Sequence, residues 1–337
     1  MNKNTKITVV AILGIIILGF VFFILTNNQN SGQKSTKSSD KLQVVASFYP
    51  LAFFSEQIGG DKVQVTNIVP AGAEPHDYEP TAQDMVKMED SRLIILNGGG
   101  LETWSNNIQK NINLKKTIII VAGEGLTTPI IGTDGEGLTT QSMGTAGEEL
   151  ITQSPEKEGK IGIDPHIWLD PPLAKKMVNR IVQGFIQADP VNKDYYNFNA
   201  QALETKLDVL DLAYQQALSN CQEKNIITSH TAFAYLADRY GLNQVSIAGL
   251  SPDAEPSPQQ LIDIVKFAKN NKVKYIFFEG LVSPKLAQTI ANEVGAQTLV
   301  LDPLEGLSKE ALAQGENYLT VMQKNLINLT IALQCPK

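Results

Sequence analysis

Histidine is scarce in this chain, with three in 337 residues, and cysteine and tryptophan are scarcer still at two each. Two cysteines exclude a small scaffold stapled by several disulfides, and a chain of this length can bury a sizeable core without disulfides or metal. If the chain is exported, Cys221 and Cys335 can form a disulfide; two buried free thiols are the other reading. No cluster of lysine and arginine stands out, and the net charge is −7. Nucleic acid is therefore excluded as a partner, because phosphate binding needs a basic face. There is no HExxH, so the helix motif of the common zinc proteases is absent. No cysteine follows the N-terminal apolar segment, which argues against a lipid-modified N-terminal cysteine.

What is present begins with that segment. Ile7 to Leu25 is an uncharged apolar run preceded by Lys3 and Lys6. At about 1.5 Å per residue it covers most of a bilayer core of about 30 Å. It ends in Phe22-Phe23-Ile24-Leu25-Thr26, unlike the small-residue cleavage site of a secretory signal. Residues 1–26 are read as an uncleaved anchor, with a cleaved signal as the alternative. Residues 27–41, rich in Ser, Asn, Gln and Lys, form a flexible linker that cannot bury enough apolar area to fold. The body is expected on the outer face of the cytoplasmic membrane, held without lipid modification.

From residue 42 apolar, β-branched runs alternate with helical patterns. Strands are expected at 42–48, 63–69, 92–97 and 117–122, with helices at about 51–59, 81–90 and 102–111 between them. Nearly continuous apolar strands separated by helices imply a parallel sheet covered on both faces. The texture then changes to a twelve-residue unit present three times, GEGLTTPIIGTD, GEGLTTQSMGTA and GEELITQSPEKE, over 123–158. It is too short and too rich in Gly and Thr for a helical solenoid. It is expected to be an acidic surface loop without structure of its own. A helix at about 173–187 follows, and Asp189-Pro190 marks the start of another. Leu203, Leu207, Leu210, Tyr214 and Ala217 make one apolar stripe along this long helix. Further strands are expected at 225–229, 244–248, 274–279 and 297–301, with helices at about 231–240, 258–270, 284–294 and 308–333. The fold class is α/β: an N-terminal lobe over 42–188, a linking helix over 189–220 and a C-terminal lobe over 221–337, each lobe with a four-stranded, mainly parallel sheet.

The histidines, His76, His166 and His230, each lie just beyond a strand or at the mouth of a loop. Ligands of α/β sheets bind outside the carboxyl ends of the strands, so these positions suggest one shared site. Neutral imidazole suits zinc, and a four-coordinate site often adds a carboxylate. Asp302 directly follows the last strand and is one candidate; Glu279 follows the strand before it and competes. Asp77, Glu79 and Asp164 could orient imidazole rings, though helix capping accounts equally well for Glu79 and Asp164.

Four motifs make the chain recognisable: HDYEPTAQD at 76–84, DPHIWLDP at 164–171, SHTAFAYLADRYGL at 229–242 and LDPLEGL at 301–307. Together they resemble the zinc- and manganese-type solute-binding proteins of bacterial ABC importers, a cluster that includes zinc-uptake, TroA-like and streptococcal lipoprotein-adhesin families. The resemblance spans about 42–333 apart from the repeats. It implies two lobes bridged by a rigid helix, and metal ligands at the positions of His76, His166, His230 and Asp302. It implies capture of Zn2+, with Mn2+ possible, and delivery to an ABC permease and its ATPase by a monomer that performs no catalysis. Manganese-preferring members often carry glutamate where this chain has His230, so three histidines lean toward zinc. Many zinc members have a histidine-rich loop where this chain has repeats without histidine. An exported zinc hydrolase and a surface adhesin on the same fold remain as alternatives.

Overall fold

The computed structural model describes residues 41–132 and 160–336. The apolar run, most of the linker, the last two residues of the first repeat and all of the second and third repeats lie outside the described residues. Among the described residues, no helix is long and apolar enough to cross a membrane.

The first sheet is built from β1 (Leu42–Ala46), β2 (Val63–Asn67), β3 (Leu93–Leu96) and β4 (Ile118–Val121) in the order β2-β1-β3-β4. All its pairs are parallel. Each residue of β3, Leu-Ile-Ile-Leu, is buried, as a central strand covered on both faces requires. Helices α1 (Tyr49–Gly59), α2 (Ala82–Asp90) and α3 (Ser105–Asn111) make the crossovers. α2 starts with a capping box between Thr81 and Asp84.

The second sheet contains β7 (Asn225–Thr228), β8 (Asn243–Ser246), β9 (Tyr275–Phe278) and β10 (Gln297–Val300), ordered β10-β9-β7-β8 and again all parallel. Read from the other edge, this is the winding of the first sheet: second strand, first, third, fourth. Helices α6 (Ala234–Tyr240), α7 (Pro258–Asn270) and α8 (Lys285–Val294) connect the strands. The expected pair of four-stranded parallel sheets is thus present.

Between the sheets in sequence lie α4 (Pro171–Ala188) and α5 (Lys193–Leu218). Asp170 caps α4 by accepting the Leu173 N–H. Gly184 brings α4 onto the first sheet: a Cβ there would lie 2.6 Å from Ile120. α5 has 26 residues, about 39 Å of helix. Its buried stripe is Tyr196, Ala200, Leu203, Leu207, Leu210, Tyr214 and Leu218. Near its start Tyr196 packs edge-on against Phe185 of α4. Toward its end Tyr214 stacks on Tyr240 of α6 and donates to the Met322 carbonyl. One helix therefore contributes to the cores beneath both sheets. Its start differs from expectation. Pro190–Asn192 is a 3-10 turn, and the Asp189 carboxylate accepts from Asn192 and Tyr196 instead of capping the α-helix.

Two further differences have local causes. The single helix expected over 308–333 is two, α9 (Lys309–Ala313) and α10 (Tyr318–Ala332). Gly315 takes a left-handed conformation at φ 80°, and Asn317 then caps α10 in a box with Thr320. The repeat region is not wholly without structure: β5 (Pro129–Gly132) pairs antiparallel with β6 (Lys160–Ile163). The first repeat reads Pro-Ile-Ile where the second reads Gln-Ser-Met, and the two β-branched isoleucines favour the strand. Cys221 and Cys335 are joined in a disulfide, which fastens the C-terminal segment to the turn after α5.

Candidate metal centre

His230 stands two residues beyond β7, and its backbone carbonyl is pinned by Thr228 Oγ1 at 2.8 Å and Gln244 Nε2 at 3.0 Å. Its ring Nδ1 lies 2.6 Å from Glu279 Oε1, just beyond β9. β7 and β9 flank the point where the winding of this sheet reverses, the usual address of a ligand. His166 belongs to the segment between β6 and α4. Its Nδ1 lies 2.7 Å from Asp164 Oδ1, which also accepts the His166 N–H at 2.9 Å. In both cases the carboxylate takes the Nδ1 side of the ring and turns Nε2 inward. His76 comes from the long connection between β2 and α2. Its N–H is accepted by Glu74 Oε1 at 3.2 Å.

The three Nε2 atoms converge. His76 and His166 approach to 3.2 Å, and His166 and His230 to 3.3 Å. Glu305 Oε1 completes the group at 3.2 Å from His76, 3.1 Å from His166 and 3.0 Å from His230. Four donors about 2.0–2.1 Å from a common ion in tetrahedral array would lie about 3.3 Å apart. The spacing fits a small four-coordinate cation, and the donor set of imidazole and carboxylate suits zinc. His166, His230 and Glu305 are buried, while the His76 side chain keeps 11% of its exposure.

The structure brings together the three expected histidines but not Asp302. Asp302 Oδ1 accepts the Leu304 N–H at 2.7 Å, and the Asp302 N–H is held by Asn325 Oδ1 at 2.9 Å. Its carboxylate thus folds back into its own turn. Leu304 then adopts a left-handed φ of 58°, and the chain returns Glu305, one methylene longer, to the centre. Glu305 was within reach of sequence reasoning, since it lies in the same LDPLEGL motif; the family resemblance pointed to Asp302 at its start, whereas the converging group contains Glu305. Glu279, the competitor, orients His230 rather than joining the group. Of the proposed ring-orienting acids, Asp164 fills that role. Asp77 is exposed, and Glu79 lies 3.4 Å from Thr103 Oγ1.

Charges are strongly coupled here. Burial opposes ionisation of Glu305, yet His230, His166 and His76 outweigh it and hold its carboxyl well below the ordinary range. Burial likewise opposes charge on His230, but Glu305 and Glu279 raise it well above its usual value. His166 is raised by Asp164 and Glu305 against burial. His76 is lowered, by burial first. Burial, then the charge of Glu305, pushes the Glu74 carboxyl up to about 9.

Known proteins give the same picture. Residues 44–332 match the family model described as zinc-uptake complex component A, periplasmic. The high-affinity zinc uptake system protein ZnuA of Bacillus subtilis is 40% identical over 315 residues, 93% of this chain and 95% of the relative. The Zn(II)-bound ZnuA-like domain of Streptococcus pneumoniae AdcA superposes with a TM-score of 0.69 at 38% identity, over 87% of this chain and 99% of that one. Whole AdcA is longer, and this chain spans 57% of it. The laminin-binding protein Lmb of Streptococcus agalactiae, described as bifunctional with adhesin and metal-transporting activity, superposes with a TM-score of 0.72 at 32% identity over 87% of this chain and 99% of that one.

Proposed function

This chain belongs to the zinc-uptake complex component A family, and from that membership and the geometry of its centre we propose that it captures Zn2+ outside the cytoplasm and hands it to an ABC permease driven by an ATPase. The observation that carries this reading is the convergence of His76, His166, His230 and Glu305, whose ligand atoms all lie within 4.8 Å of one another, with five of the six separations at 3.0–3.3 Å. Those four side chains are the proposed ligands. Three imidazoles favour zinc over manganese, which takes more oxygen donors. Four protein donors fill a tetrahedron, and Glu279, a candidate for a general base, is engaged by His230. Both points support carriage without chemistry over a hydrolase, whose zinc would keep an open position. The adhesin reading draws on a likeness at 32% identity, against 40% to the zinc uptake protein, and on no feature of the centre.

The working units are a lobe over 42–188, the helix over 189–220 and a lobe over 221–337, acting as a monomer. Anchoring is assigned to Ile7–Leu25. AdcA of S. pneumoniae is named a lipoprotein, but in this chain both cysteines are engaged in the Cys221–Cys335 disulfide and offer no thiol for a lipid. Labelled fatty acid entering the protein would overturn that part. The test of the whole is metal analysis and calorimetry on the purified full-length protein. One zinc per chain, displacing manganese in competition, is expected; absence of stoichiometric zinc binding would overturn the reading.

A further inference from the structure

The segment that carries His166 is tied to the other lobe by contacts that the ligand set does not explain. Trp168 Nε1 donates to the Pro303 carbonyl at 2.7 Å, Tyr318 donates to the Trp168 carbonyl at 2.5 Å, and Arg239 pairs with Asp170 at 2.5 Å. These three lie on the far side of His166 from Asp164. On the near side, among the described residues, the connection runs through a tyrosine hydroxyl. Tyr235, in the first turn of α6, donates its hydroxyl to the Asp164 carbonyl at 2.9 Å and accepts the Thr128 N–H at 2.8 Å. Thr128 and Asp164 face each other at the neck of the β5–β6 pair, where the Asp164 N–H reaches the Thr128 carbonyl at 3.3 Å.

We propose that Tyr235 is a positioning residue for the metal centre: its hydroxyl locks the β5–β6 neck, and with it Asp164 and the ring of His166, to the helix that follows His230. The placement is what gives the contact meaning. Tyr235 is five residues beyond His230 on the second lobe, and Asp164 is two residues before His166 on the first. Asp164 Oδ1 fixes both the His166 backbone and its Nδ1. One phenolic oxygen therefore relates two imidazoles that come from different sheets. Without it, the Asp164 carbonyl and the Thr128 N–H turn to water, the neck opens, and Asp164 loses its fixed attitude toward the ring. The distance between His166 Nε2 and His230 Nε2 is then held by protein from one side only, through the Trp168, Tyr318 and Arg239 contacts. A ligand loosened in this way lets go of its ion faster; it does not capture it more slowly.

Tyr235 can matter in this way only if the centre takes a metal ion, as proposed above. The experiment compares full-length wild type, Tyr235→Phe and Tyr240→Phe. Tyr240 lies on the same helix and bonds Asp211 at 2.9 Å, so it reports the cost of losing a hydroxyl there without touching Asp164. Zinc release to a chelator should be about tenfold faster in Tyr235→Phe, equal to about 1.4 kcal/mol, with association unchanged and with Tyr240→Phe like wild type. Loaded with Co2+, wild type and Tyr240→Phe should show the intense visible bands of a tetrahedral ion. Tyr235→Phe should show weaker bands as water replaces His166 part of the time. Wild-type release and spectrum in Tyr235→Phe would overturn the positioning role, and so would equal changes in both variants. Wild type that takes neither zinc nor cobalt would instead overturn the capture reading itself.

Discussion

The two sheets share one winding, yet they place different chemistry at the point where it reverses. In the second, His230 and Glu279 follow β7 and β9 and meet at 2.6 Å. In the first, the corresponding strands are β1 and β3, and the residues beyond them are Ser47 and Asn97. Both are gathered by buried Glu102, which accepts from Ser47 Oγ at 2.6 Å, Asn97 N at 2.6 Å and Gly98 N at 2.9 Å. A buried carboxylate sits at each address. In one lobe it holds an imidazole with its free nitrogen turned inward; in the other it satisfies backbone N–H groups and the hydroxyl of a strand end. The fold supplies the location, and the partner of the carboxylate decides whether a ligand can use it.

The sharpest way to break this contrast is to remove a proposed ligand from the second lobe. Either His230→Ala or Glu305→Ala should cost more in zinc affinity than the roughly 10–100-fold typical of losing a ring-orienting partner. Calorimetry with a competing chelator measures it, and near-wild-type affinity in either variant would remove that residue from the ligand set. Next comes the exchange of the two carboxylates. Glu279→Gln should weaken zinc by about 10–100-fold. Glu102→Gln should leave affinity within about threefold, below 1 kcal/mol. Its loss should appear in stability instead, at about 1.5–3 kcal/mol for hydrogen bonds to a charged group. The two lobes would be chemically alike, contrary to this reading, if Glu102→Gln weakened zinc as much as Glu279→Gln.

The pH dependence is a milder effect with a definite sign. In the metal-free centre His166 and His230 are raised above their ordinary value by neighbouring carboxylates. Their protonated forms stabilise the metal-free fold fully below about pH 6.5, and that contribution is lost as pH rises through the raised values. Zinc must displace those protons. The melting temperature gap between zinc-loaded and metal-free protein should therefore widen as pH rises from about 6.5, and binding should release protons in calorimetry run in buffers of different ionisation enthalpy. A gap that narrows over this range would contradict the assigned charge states. The smallest effect belongs to Asp302→Ala. With its carboxylate turned to the Leu304 N–H, it should change zinc affinity by about threefold or less, under 1 kcal/mol, and a larger loss than Glu305→Ala would reverse the assignment of the acid.

Much of this was legible in the chain. Continuous β-branched runs separated by helical patterns announce parallel strands, because strands covered on both faces have no polar side to show. Three scarce histidines just beyond strands or at the mouth of a loop announce a site for the same reason that ligands collect there. Glu305 was not legible from position. Asp302 has the better topological place, and only the left-handed turn at Leu304 carries the chain past it and back to the centre. The β5–β6 pair was hidden by the repeats around it, although Pro129-Ile130-Ile131 breaks their pattern. The division of 308–333 into two helices turned on Gly315 and Asn317, a local signal outweighed by the apolar periodicity on either side.

By itself the sequence determined the alternation of strands and helices, the scarcity and placement of the histidines, and the acids available near them, since these follow from side-chain type and spacing along the chain. The tertiary structure decided which acid meets the histidines, which merely steadies them, and that Tyr235 ties one lobe to the other. Those outcomes depend on distances of about 3 Å between hydrogen-bonding atoms far apart in sequence. Such distances are set by how two sheets and a shared helix pack, and no local pattern encodes them.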